Sequence, residues 1–493
     1  MKSFAVAKEI VSFDVAVLGG GSAGYAAAQT AAKAGLNTVV IDGAKELGGL
    51  CILRGCMPSK TLLYAAEVLH LARAGKLWGL RIPKAGFDFP AVMARKKKMI
   101  AEFATYRQNQ LAGGKFSLFR AKAVFQDPYT VELQNRRGKT PKTVCAKHFI
   151  ICTGSVTSPS PLPALDKLGY ITSDEALSLR KLPRSLIVLG GGAVAVELAQ
   201  FFGRLDVKVT LIQRGEHLLR DFDSDAGITV AKALGREGIK HWCGTKLLDA
   251  FRRGKEKVIV FEQENRKRQV AAEEVLLALG RDPATTGLGL EKAGVETKDG
   301  HIVTDARMQT SAPHIYAAGD CTGPHQIVHI GIEQGEIAAH NIAVPGKKRS
   351  IHYRLLTNVV FTDPQVASVG LTEKEAVLKS IPFVKASYPF NDHGKSLIMG
   401  IKDGFVKLLA DPKTGEILGG SCVGPVGGEL IHEIIAAMHG RMTAHQLAVM
   451  PHYHPTLAEI WTYPAGELAE QMAESEPSVW ALPGSVDWTE NIP

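Results

Sequence analysis

DVAVLGGGSAGYAAAQTAAKAGLNTVVID, residues Asp14–Asp42, is the stretch that decides the fold. A short β-rich run leads into Gly19-x-Gly21-x-x-Gly24, an alanine-rich helical stretch follows, and Asn37–Ile41 is a second apolar strand. The first glycine of such a motif makes a tight turn, the second lets the backbone approach a pyrophosphate, and the third lets helix and strand pack closely. The stretch therefore predicts a β-α-β unit with a dinucleotide at the helix N-terminus.

The same layout occurs a second time in SLIVLGGGAVAVELAQFFGRLDVKVTLIQ, residues Ser185–Gln213. Its glycines are Gly190 and Gly192, and Ala195 occupies the third position. A lone glycine motif is a weak signal, but each copy here follows a strand, opens a helix and returns to a strand. This context favours two dinucleotide folds over two unrelated glycine turns.

The two copies differ at the end of the second strand. Asp42 lies 23 residues after the first glycine of its copy, where a carboxylate can hydrogen-bond a ribose diol, which predicts a dinucleotide such as FAD. The second copy has Gln213 at this place, with Arg214 and Arg220 close behind. A neutral residue beside arginines suits a 2′-phosphate and favours NADPH over NADH. Ordinary surface charge stays open as the alternative for both arginines.

The rest of the chain completes the organisation. A Pro- and Ser-rich stretch, Thr157–Pro163, is typical of a linker or crossover. From about Ser350 onward, apparent strands at Asn358–Phe361 and Gly404–Leu409 alternate with helical patterns, without a glycine motif. The predicted fold class is α/β, with two Rossmann-like dinucleotide-binding domains and a C-terminal α+β domain.

Two of the seven cysteines, Cys51 and Cys56, lie together in GGLCILRGCMPSK, residues 48–60. Zinc sites need a second pair of Cys or His ligands, and none is evident, so no metal site is predicted. The glycines on both sides predict a loop, and Pro58 fits the first turn of a following helix. A thiol at a helix N-terminus is activated as a thiolate, so the pair is predicted to be redox-active.

With these motifs in place, the chain resembles the FAD-dependent pyridine nucleotide-disulfide oxidoreductases, from about Phe13 to Leu468. That family includes dihydrolipoamide dehydrogenase, glutathione reductase and mercuric reductase. Further motifs that carry the resemblance are CTGS (Cys152–Ser155), LGRDP (Leu279–Pro283), IYAAGDCTG (Ile315–Gly323), FTDPQVASVG (Phe361–Gly370) and HYHPTLAE (His452–Glu459).

The resemblance implies a role for each thiol and for an ion pair. Cys51 matches the thiol that attacks the substrate disulfide, and Cys56 matches the thiol in charge-transfer contact with the flavin. Lys60 and Glu197 match an ion pair near the flavin ring. The cofactor-binding residues, including those of the two glycine motifs, are then Gly19, Gly21, Gly24, Asp42, Gly49, Thr153, Gly154, Gly190, Gly192, Ala195, Arg214, Arg220, Gly280, Arg281, Gly319 and Asp320.

His454 and Glu459 resemble the catalytic His-Glu pair of the family. Thiol–disulfide exchange needs a group that accepts and donates a proton near neutrality, which histidine can do, and a carboxylate on its far nitrogen would orient it. The neighbouring His452 is expected to be structural. In the family this histidine reaches the partner subunit's site, which implies an obligate homodimer.

The resemblance also implies domain boundaries. An FAD-binding domain would comprise residues 1–156 and 284–350, an NAD(P)H-binding domain residues 157–283, and an interface domain with a C-terminal tail residues 351–493. The tail beyond Leu468 matches no motif and could lie along the dimer surface or be partly disordered.

Composition limits the partners. The net charge is +9, but the basic runs Arg95–Lys98 and Arg266–Arg268 lack interleaved aromatic residues, so no nucleic-acid partner is expected. The N-terminus has no apolar run long enough for a signal peptide or membrane span, which predicts a cytoplasmic protein with no membrane partner.

The predicted function is a dihydrolipoamide dehydrogenase-like NAD(P)H:disulfide oxidoreductase, with FAD and NADPH (or NADH) as cofactors and a small disulfide as substrate. Two alternatives stay open: an NAD(P)H oxidase or quinone reductase, and a low-turnover flavoprotein redox sensor. The substrate itself is not decided, because Ala195 and the arginines resemble glutathione reductase, whereas Pro58-Ser59-Lys60 resembles the dihydrolipoamide or mercuric group. Leu50 and Leu53 depart from the usual Thr and Asn of the thiol motif.

Overall fold

The computed structural model describes residues 10–134 and 142–473. Residues 1–9, where no targeting segment is expected, lie outside the described residues. So do residues 474–493, which form most of the C-terminal tail that was predicted to lie along the dimer surface or to be partly disordered. Among the helices that are described, none combines the length and apolar character needed to cross a bilayer.

The strands of the described residues, in chain order, are β1 (Ile10–Leu18), β2 (Thr38–Ile41), β3 (Ser117–Phe119), β4 (Lys122–Asp127), β5 (Thr130–Gln134), β6 (Lys142–Ile151), β7 (Ser155–Thr157), β8 (Ser185–Leu189), β9 (Lys208–Ile212), β10 (Lys240–Trp242), β11 (Thr245–Arg253), β12 (Glu256–Gln263), β13 (Arg266–Ala272), β14 (Glu274–Leu277), β15 (Arg281–Pro283), β16 (Thr297–Lys298), β17 (His301–Ile302), β18 (Ile315–Ala317), β19 (Thr357–Val360), β20 (Gln365–Gly370), β21 (Val384–Pro389), β22 (Phe405–Ala410) and β23 (Ile417–Gly424).

The α-helices of the same residues are α1 (Ser22–Lys33), α2 (Gly49–Arg54), α3 (Cys56–Ala74), α4 (Phe89–Ala112), α5 (Pro163–Leu168), α6 (Ser173–Ala176), α7 (Ala193–Arg204), α8 (Ser224–Arg236), α9 (Val328–Ala343), α10 (Glu373–Leu378), α11 (Gly394–Ile398), α12 (Gly427–His439), α13 (Ala444–Val449) and α14 (Thr462–Ala473). Short 3-10 helices connect several of them.

One compact unit comprises residues 10–66, 86–134, 142–182 and 279–352. Its main sheet has the order β3-β2-β1-β6-β5-β4, and β18 also pairs with β6. The pairs among β3, β2, β1, β6 and β18 are parallel, as the first glycine repeat predicts. Val15, Ala16 and Val17 of β1 have no exposed surface, which is typical of a parallel strand covered on both faces.

A second compact unit comprises residues 67–85, 183–278 and 353–473. It contains the parallel sheet β10-β9-β8-β14, the antiparallel sheet β11-β12-β13 and a five-stranded antiparallel sheet β19-β20-β23-β22-β21. Helices α12, α13 and α14 pack on the five-stranded sheet around the fully buried Trp461, whose indole N–H donates to the carbonyl of Leu430 at 3.2 Å. The predicted fold class is confirmed.

Buried ion pairs tie elements of this second unit together. Lys407 of β22, almost wholly buried, contacts Asp223 at 2.8 Å and Asp225 at 2.7 Å near the start of α8. These carboxylates, together with Glu373, compensate the cost of burying the ammonium group. The hydrogen bonds and charges of Asp223 and Asp225 outweigh burial and raise the pKa of Lys407 above its ordinary value, so it stays charged.

Candidate active site

The first glycine repeat, in the first unit, meets two other segments at the carboxyl ends of parallel strands. The N–H of Cys152, after β6, donates to Leu18 at 2.8 Å, and Ala318, after β18, donates to Ile151 at 2.9 Å. This arrangement brings Gly19 together with Thr153, Gly154 and Gly319, all predicted cofactor-binding residues. Open α/β sheets bind their ligands at this edge.

Asp42 lies at the end of β2 and is buried. Its carboxylate accepts hydrogen bonds from the N–H of Gly20 at 2.8 Å and of Ala44 at 2.8 Å. The side chain is thereby fixed beside the glycine turn, with oxygen lone pairs left for a ribose hydroxyl.

The backbone around the glycine turn leaves a cradle that a side chain would fill. A Cβ added to Gly49 would lie 2.8 Å from the Cα of Gly21, so the start of α2 passes directly over the turn of the first repeat. Two facing glycines keep backbone N–H groups accessible to a phosphate group. The residues present therefore fit FAD, and Gly49 and Gly21 fall within its predicted site.

Ser155, Asp320 and Arg281 form one hydrogen-bonded group in the same unit. The Ser155 hydroxyl donates to Oδ2 of Asp320 at 2.6 Å. The guanidinium of Arg281 donates to the Ser155 hydroxyl and carbonyl, each at 2.9 Å, while Gly280 immediately precedes it. Burial lowers the pKa of Arg281, against the opposing charges of Asp174 and Asp320. Arg281 thus holds the loop that carries Asp320 in place.

The two thiols lie in helical turns rather than in a loop. Cys51 belongs to α2, and Cys56 is the first residue of α3. The loop prediction was wrong because the residues between Gly48 and Gly55 include Leu, Ile and Arg, which favour a helix. The two glycines lie at the ends of this short helix rather than within a loop. Pro58 lies in the first turn of α3, where its missing N–H costs nothing.

The thiols of Cys51 and Cys56 are hydrogen-bonded to each other. This bond, burial and repulsion from a Cys56 thiolate raise the pKa of the Cys51 thiol well above its ordinary value. The N-terminus of α3, a 19-residue helix, favours a negative charge on its first residue, Cys56.

Arg107 of α4 is a neighbour of the dithiol that the sequence did not reveal. Its positive charge works to lower the pKa of Cys51, and its guanidinium lies 4.2 Å from the ring centroid of Tyr25 in α1. Its Nε is buried without a hydrogen-bond partner among the described residues. No local motif marks Arg107, because it comes from a separate helix 56 residues after Cys51.

The second glycine repeat, in the second unit, keeps the predicted turn with Gly190, Gly192 and Ala195 at the start of α7. Gln213 after β9 is buried, and its Oε1 accepts the N–H of Arg214 at 3.1 Å. Arg220 is exposed and lies 3.6 Å from Asp221, a pair that water screens strongly.

The ion pair predicted between Lys60 and Glu197 stays a prediction. Lys60 lies in α3, one turn after Cys56. Glu197 is buried in α7, and its Oε1 accepts the N–H of Phe361 at 2.9 Å. Each residue thus lies on a helix that starts at a predicted functional segment, the dithiol for Lys60 and the second glycine turn for Glu197.

The two histidines that flank Tyr453 have different environments. His454 Nδ1 lies 2.9 Å from Glu459 Oε2, and 78% of its side chain is exposed, so its Nε2 can reach a substrate. The His452 ring, only 8% of which is exposed, lies between the carbonyl of Met450 and the carboxylate of Glu433. An exposed ring with a carboxylate on its far nitrogen, as in His454, is typical of a proton-transfer group. Both ring nitrogens of His452 have protein partners, which is typical of a structural residue.

Glu459 also contacts a second histidine that the sequence did not reveal. His393 Nε2 lies 3.2 Å from Glu459 Oε1. Burial works to raise the pKa of Glu459, but the hydrogen bonds from His454 and His393 outweigh it and hold that pKa below its ordinary value. The carboxylate is therefore ionised at neutral pH. His393 lies 66 residues before Glu459, beyond the reach of local sequence patterns.

Comparison with known proteins agrees with this geometry. Residues 13–340 match the family model described as pyridine nucleotide-disulphide oxidoreductase, and residues 356–465 match the dimerisation domain of the same family. The chain belongs to the pyridine nucleotide-disulphide oxidoreductases. Membership makes it a flavoprotein enzyme with FAD and a nicotinamide dinucleotide as cofactors, and the dimerisation domain indicates a homodimer.

Particular relatives are similar over nearly the whole chain. A dihydrolipoyl dehydrogenase of Thermus scotoductus is 36% identical over 454 residues, covering 91% of this chain and 95% of the relative. The crystal structure of LpdA from Mycobacterium tuberculosis is 27% identical with a TM-score of 0.82, covering 92% of this chain and 99% of that one. The Cu(II) complex of RclA, a HOCl-induced flavoprotein disulfide reductase from Escherichia coli, is 26% identical with a TM-score of 0.82, covering 93% and 99%.

Proposed function

We propose that the chain is a dihydrolipoamide dehydrogenase-like disulfide reductase, which uses NADPH to reduce a small disulfide through the Cys51–Cys56 pair. The observation that carries this proposal is the contact between the thiol of Cys51 in α2 and the thiol of Cys56 at the start of α3. Both residues belong to the same unit as the glycine turn predicted for FAD. The similarity to dihydrolipoyl dehydrogenases and to a flavoprotein disulfide reductase supports it.

FAD, when bound, supplies the exchange of hydride with the nicotinamide and of an electron pair with the dithiol. The protein supplies the positions of the groups. The turn at Gly19 and Gly21 and the carboxylate of Asp42 would hold the flavin nucleotide. The helix N-terminus at Cys56 would stabilise a thiolate on the residue that we assign to the flavin contact.

Disulfide reduction then follows from the residues of the chain. His454 Nε2 accepts the proton of the Cys51 thiol, and the resulting thiolate attacks one sulfur of the substrate. The substrate S–S bond breaks, and the departing thiolate takes the proton back from His454 Nε2. Cys56 next attacks the Cys51 sulfur, which closes the protein disulfide and releases the second substrate thiol. The substrate gains two electrons and the dithiol loses them. We place His454 at the site of the partner subunit.

The nicotinamide preference rests on the second repeat. Gln213 stands where an acid would hydrogen-bond a ribose 2′-hydroxyl, and Arg214 follows it. The absence of a repelling carboxylate at this position and the adjacent guanidinium favour the 2′-phosphate of NADPH. We likewise propose that residues 1–156 and 284–350 bind FAD and that residues 157–283 bind NAD(P)H.

A panel of acceptors tests the proposal directly. Purified holoenzyme is assayed with lipoamide, oxidised glutathione, oxygen and a quinone, each with NADPH and with NADH. We expect turnover to depend on an added disulfide and to be faster with NADPH. Dependence on oxygen or quinone alone would contradict the disulfide substrate and favour an oxidase or quinone reductase, and near-silence with every acceptor would favour a redox sensor.

A further inference from the structure

The carboxylate of Glu459 is shared by two histidines in the second unit. One oxygen faces Nδ1 of His454, which is exposed, and the other faces Nε2 of His393, which has no exposed surface. On its other side, His393 Nδ1 lies 2.8 Å from the hydroxyl of the fully buried Ser396. Four side chains therefore form one continuous chain of hydrogen bonds from the interior to the surface.

The chemistry of the groups fixes where the protons lie. An ionised Glu459 only accepts, so both histidines must donate to it, His393 through Nε2–H and His454 through Nδ1–H. A neutral His393 then has a lone pair on Nδ1, which accepts the hydroxyl proton of Ser396. This assignment satisfies every hydrogen-bonding group in the chain and leaves the lone pair of His454 on Nε2, which is the exposed nitrogen.

We propose that His393 is a positioning residue, which fixes the Glu459 carboxylate and through it the orientation and tautomer of His454. This inference rests on the disulfide exchange proposed above and goes beyond it, because it gives His454 a support of three residues rather than one. A carboxylate anchored at one oxygen cannot rotate away from the imidazole at its other oxygen. The exposed His454 ring is thereby held by groups that are themselves buried.

The surroundings of His393 hold its ring in place. Tyr463 of α14 meets the ring edge-on with centroids 6.1 Å apart, and Tyr388 of β21 stacks on Tyr463 at 4.0 Å. Glu459 and Tyr463 are titratable groups that the His393 ring meets, and its chain neighbours include Asp392 and Lys395. Since Glu459 is the carboxylate in contact, the ionisation of Glu459 is the property that His393 most affects.

The test compares two substitutions of His393 by rapid mixing of pre-reduced holoenzyme with a disulfide. His393→Met removes the donor to Glu459, whereas His393→Gln keeps an N–H near the position of Nε2. With lipoamide and with oxidised glutathione, we expect His393→Met to slow thiol exchange about ten- to hundredfold, and His393→Gln to restore it to within about threefold of wild type. The loss should fall on kcat rather than KM.

Two controls separate positioning from general damage. Reduction of the enzyme by NADPH does not use His454 and should be unchanged. His452→Gln alters the neighbouring buried histidine and should leave lipoamide exchange near wild type.

The pH profile gives an independent readout. Because the hydrogen bond from His393 helps to lower the pKa of Glu459, its loss raises that pKa, and the acid limb of the exchange rate should move to higher pH in His393→Met. If His393→Met does not yield folded protein, Ser396→Ala provides the same test, with an expected severalfold slowing.

The outcomes are distinguishable. Lipoamide or glutathione exchange at the wild-type rate and pH profile in His393→Met would overturn the inference alone. Equal slowing of reduction by NADPH would also overturn it, since it would show general damage. A wild-type enzyme that reduces neither lipoamide nor oxidised glutathione would overturn the proposed function and this inference together.

Discussion

The two glycine turns of this chain have the same backbone geometry and differ in the side chains around the turn. In each turn the first glycine has a positive φ, 106° for Gly19 and 125° for Gly190, and a Cβ would lie 2.3 or 2.2 Å from a carbonyl oxygen of the neighbouring strand. Each also donates its N–H to the end of the next strand, at 2.8 and 2.9 Å. The backbone alone therefore determines the conformation that the two turns share.

The third position of the motif separates the copies. A Cβ on Gly24 would lie 1.9 Å from the carbonyl oxygen of Gly19, so helix and turn are too close for any side chain. The second copy accepts the methyl group of Ala195 at the corresponding place. The end of the second strand separates them again, with a buried acid, Asp42, in one copy and a neutral amide, Gln213, in the other. The shared backbone geometry is that of a dinucleotide turn, and we propose that the variable positions select which dinucleotide binds.

The largest expected effect tests the third position. Gly24→Ala forces a Cβ against a carbonyl oxygen, so we expect the purified protein to hold less than about a tenth of the wild-type flavin. The matched change in the other copy, Ala195→Gly, introduces only helix flexibility, about 0.5–1 kcal/mol, and should keep full flavin content. The ratio of flavin to protein absorbance measures both. Normal flavin in Gly24→Ala would show that the close approach is not required.

The next effect tests the end of the strand. Gln213→Glu places a carboxylate where it can hydrogen-bond a ribose 2′-hydroxyl and repel a 2′-phosphate, so the ratio of kcat/KM for NADPH to that for NADH should fall about tenfold or more. Asp42→Asn alters the equivalent position of the first copy. It should weaken flavin retention while leaving that ratio unchanged. An unchanged ratio in Gln213→Glu would contradict the assignment of this position.

The smallest effect compares the two arginines of the second copy. We expect Arg214→Ala to lower kcat/KM for NADPH about tenfold, through KM, because a guanidinium contact to a phosphate is lost, and to leave NADH unaffected. Arg220→Ala should cost about threefold or less, because Arg220 is exposed and already close to Asp221. Steady-state kinetics with both nucleotides decides. Equal losses with NADPH and NADH would contradict phosphate recognition by Arg214.

The sequence predicted what local patterns determine. The turn, helix and strand of each repeat are neighbours in the chain, and so are His454 and Glu459, which are five residues apart and meet at 2.9 Å. The fold class followed from these repeats and is confirmed. The local pattern gave a wrong prediction around Cys51, where the glycines suggested a loop. The six residues between Gly48 and Gly55 form the short helix α2 instead.

The rest depended on contacts between distant segments. The positive charge of Arg107 acts on Cys51 from another helix, and His393 contacts Glu459 across 66 residues of sequence. Neither residue belongs to a motif, and a single arginine or histidine in a sequence gives no sign of what it will face. Contacts of this kind depend on the tertiary packing of distant segments, which no short sequence motif predicts.

The central claim is that electrons pass between the flavin and the substrate through Cys56 and then Cys51. The most direct measurement is the long-wavelength absorbance of the holoenzyme in Cys51→Ser and Cys56→Ser under anaerobic titration with NADPH. We expect both variants to keep FAD, Cys51→Ser to show the thiolate–flavin band, and Cys56→Ser to show no band and no disulfide turnover. Normal turnover in Cys56→Ser, or the band in that variant, would show that Cys56 is not the thiol that exchanges electrons with the flavin.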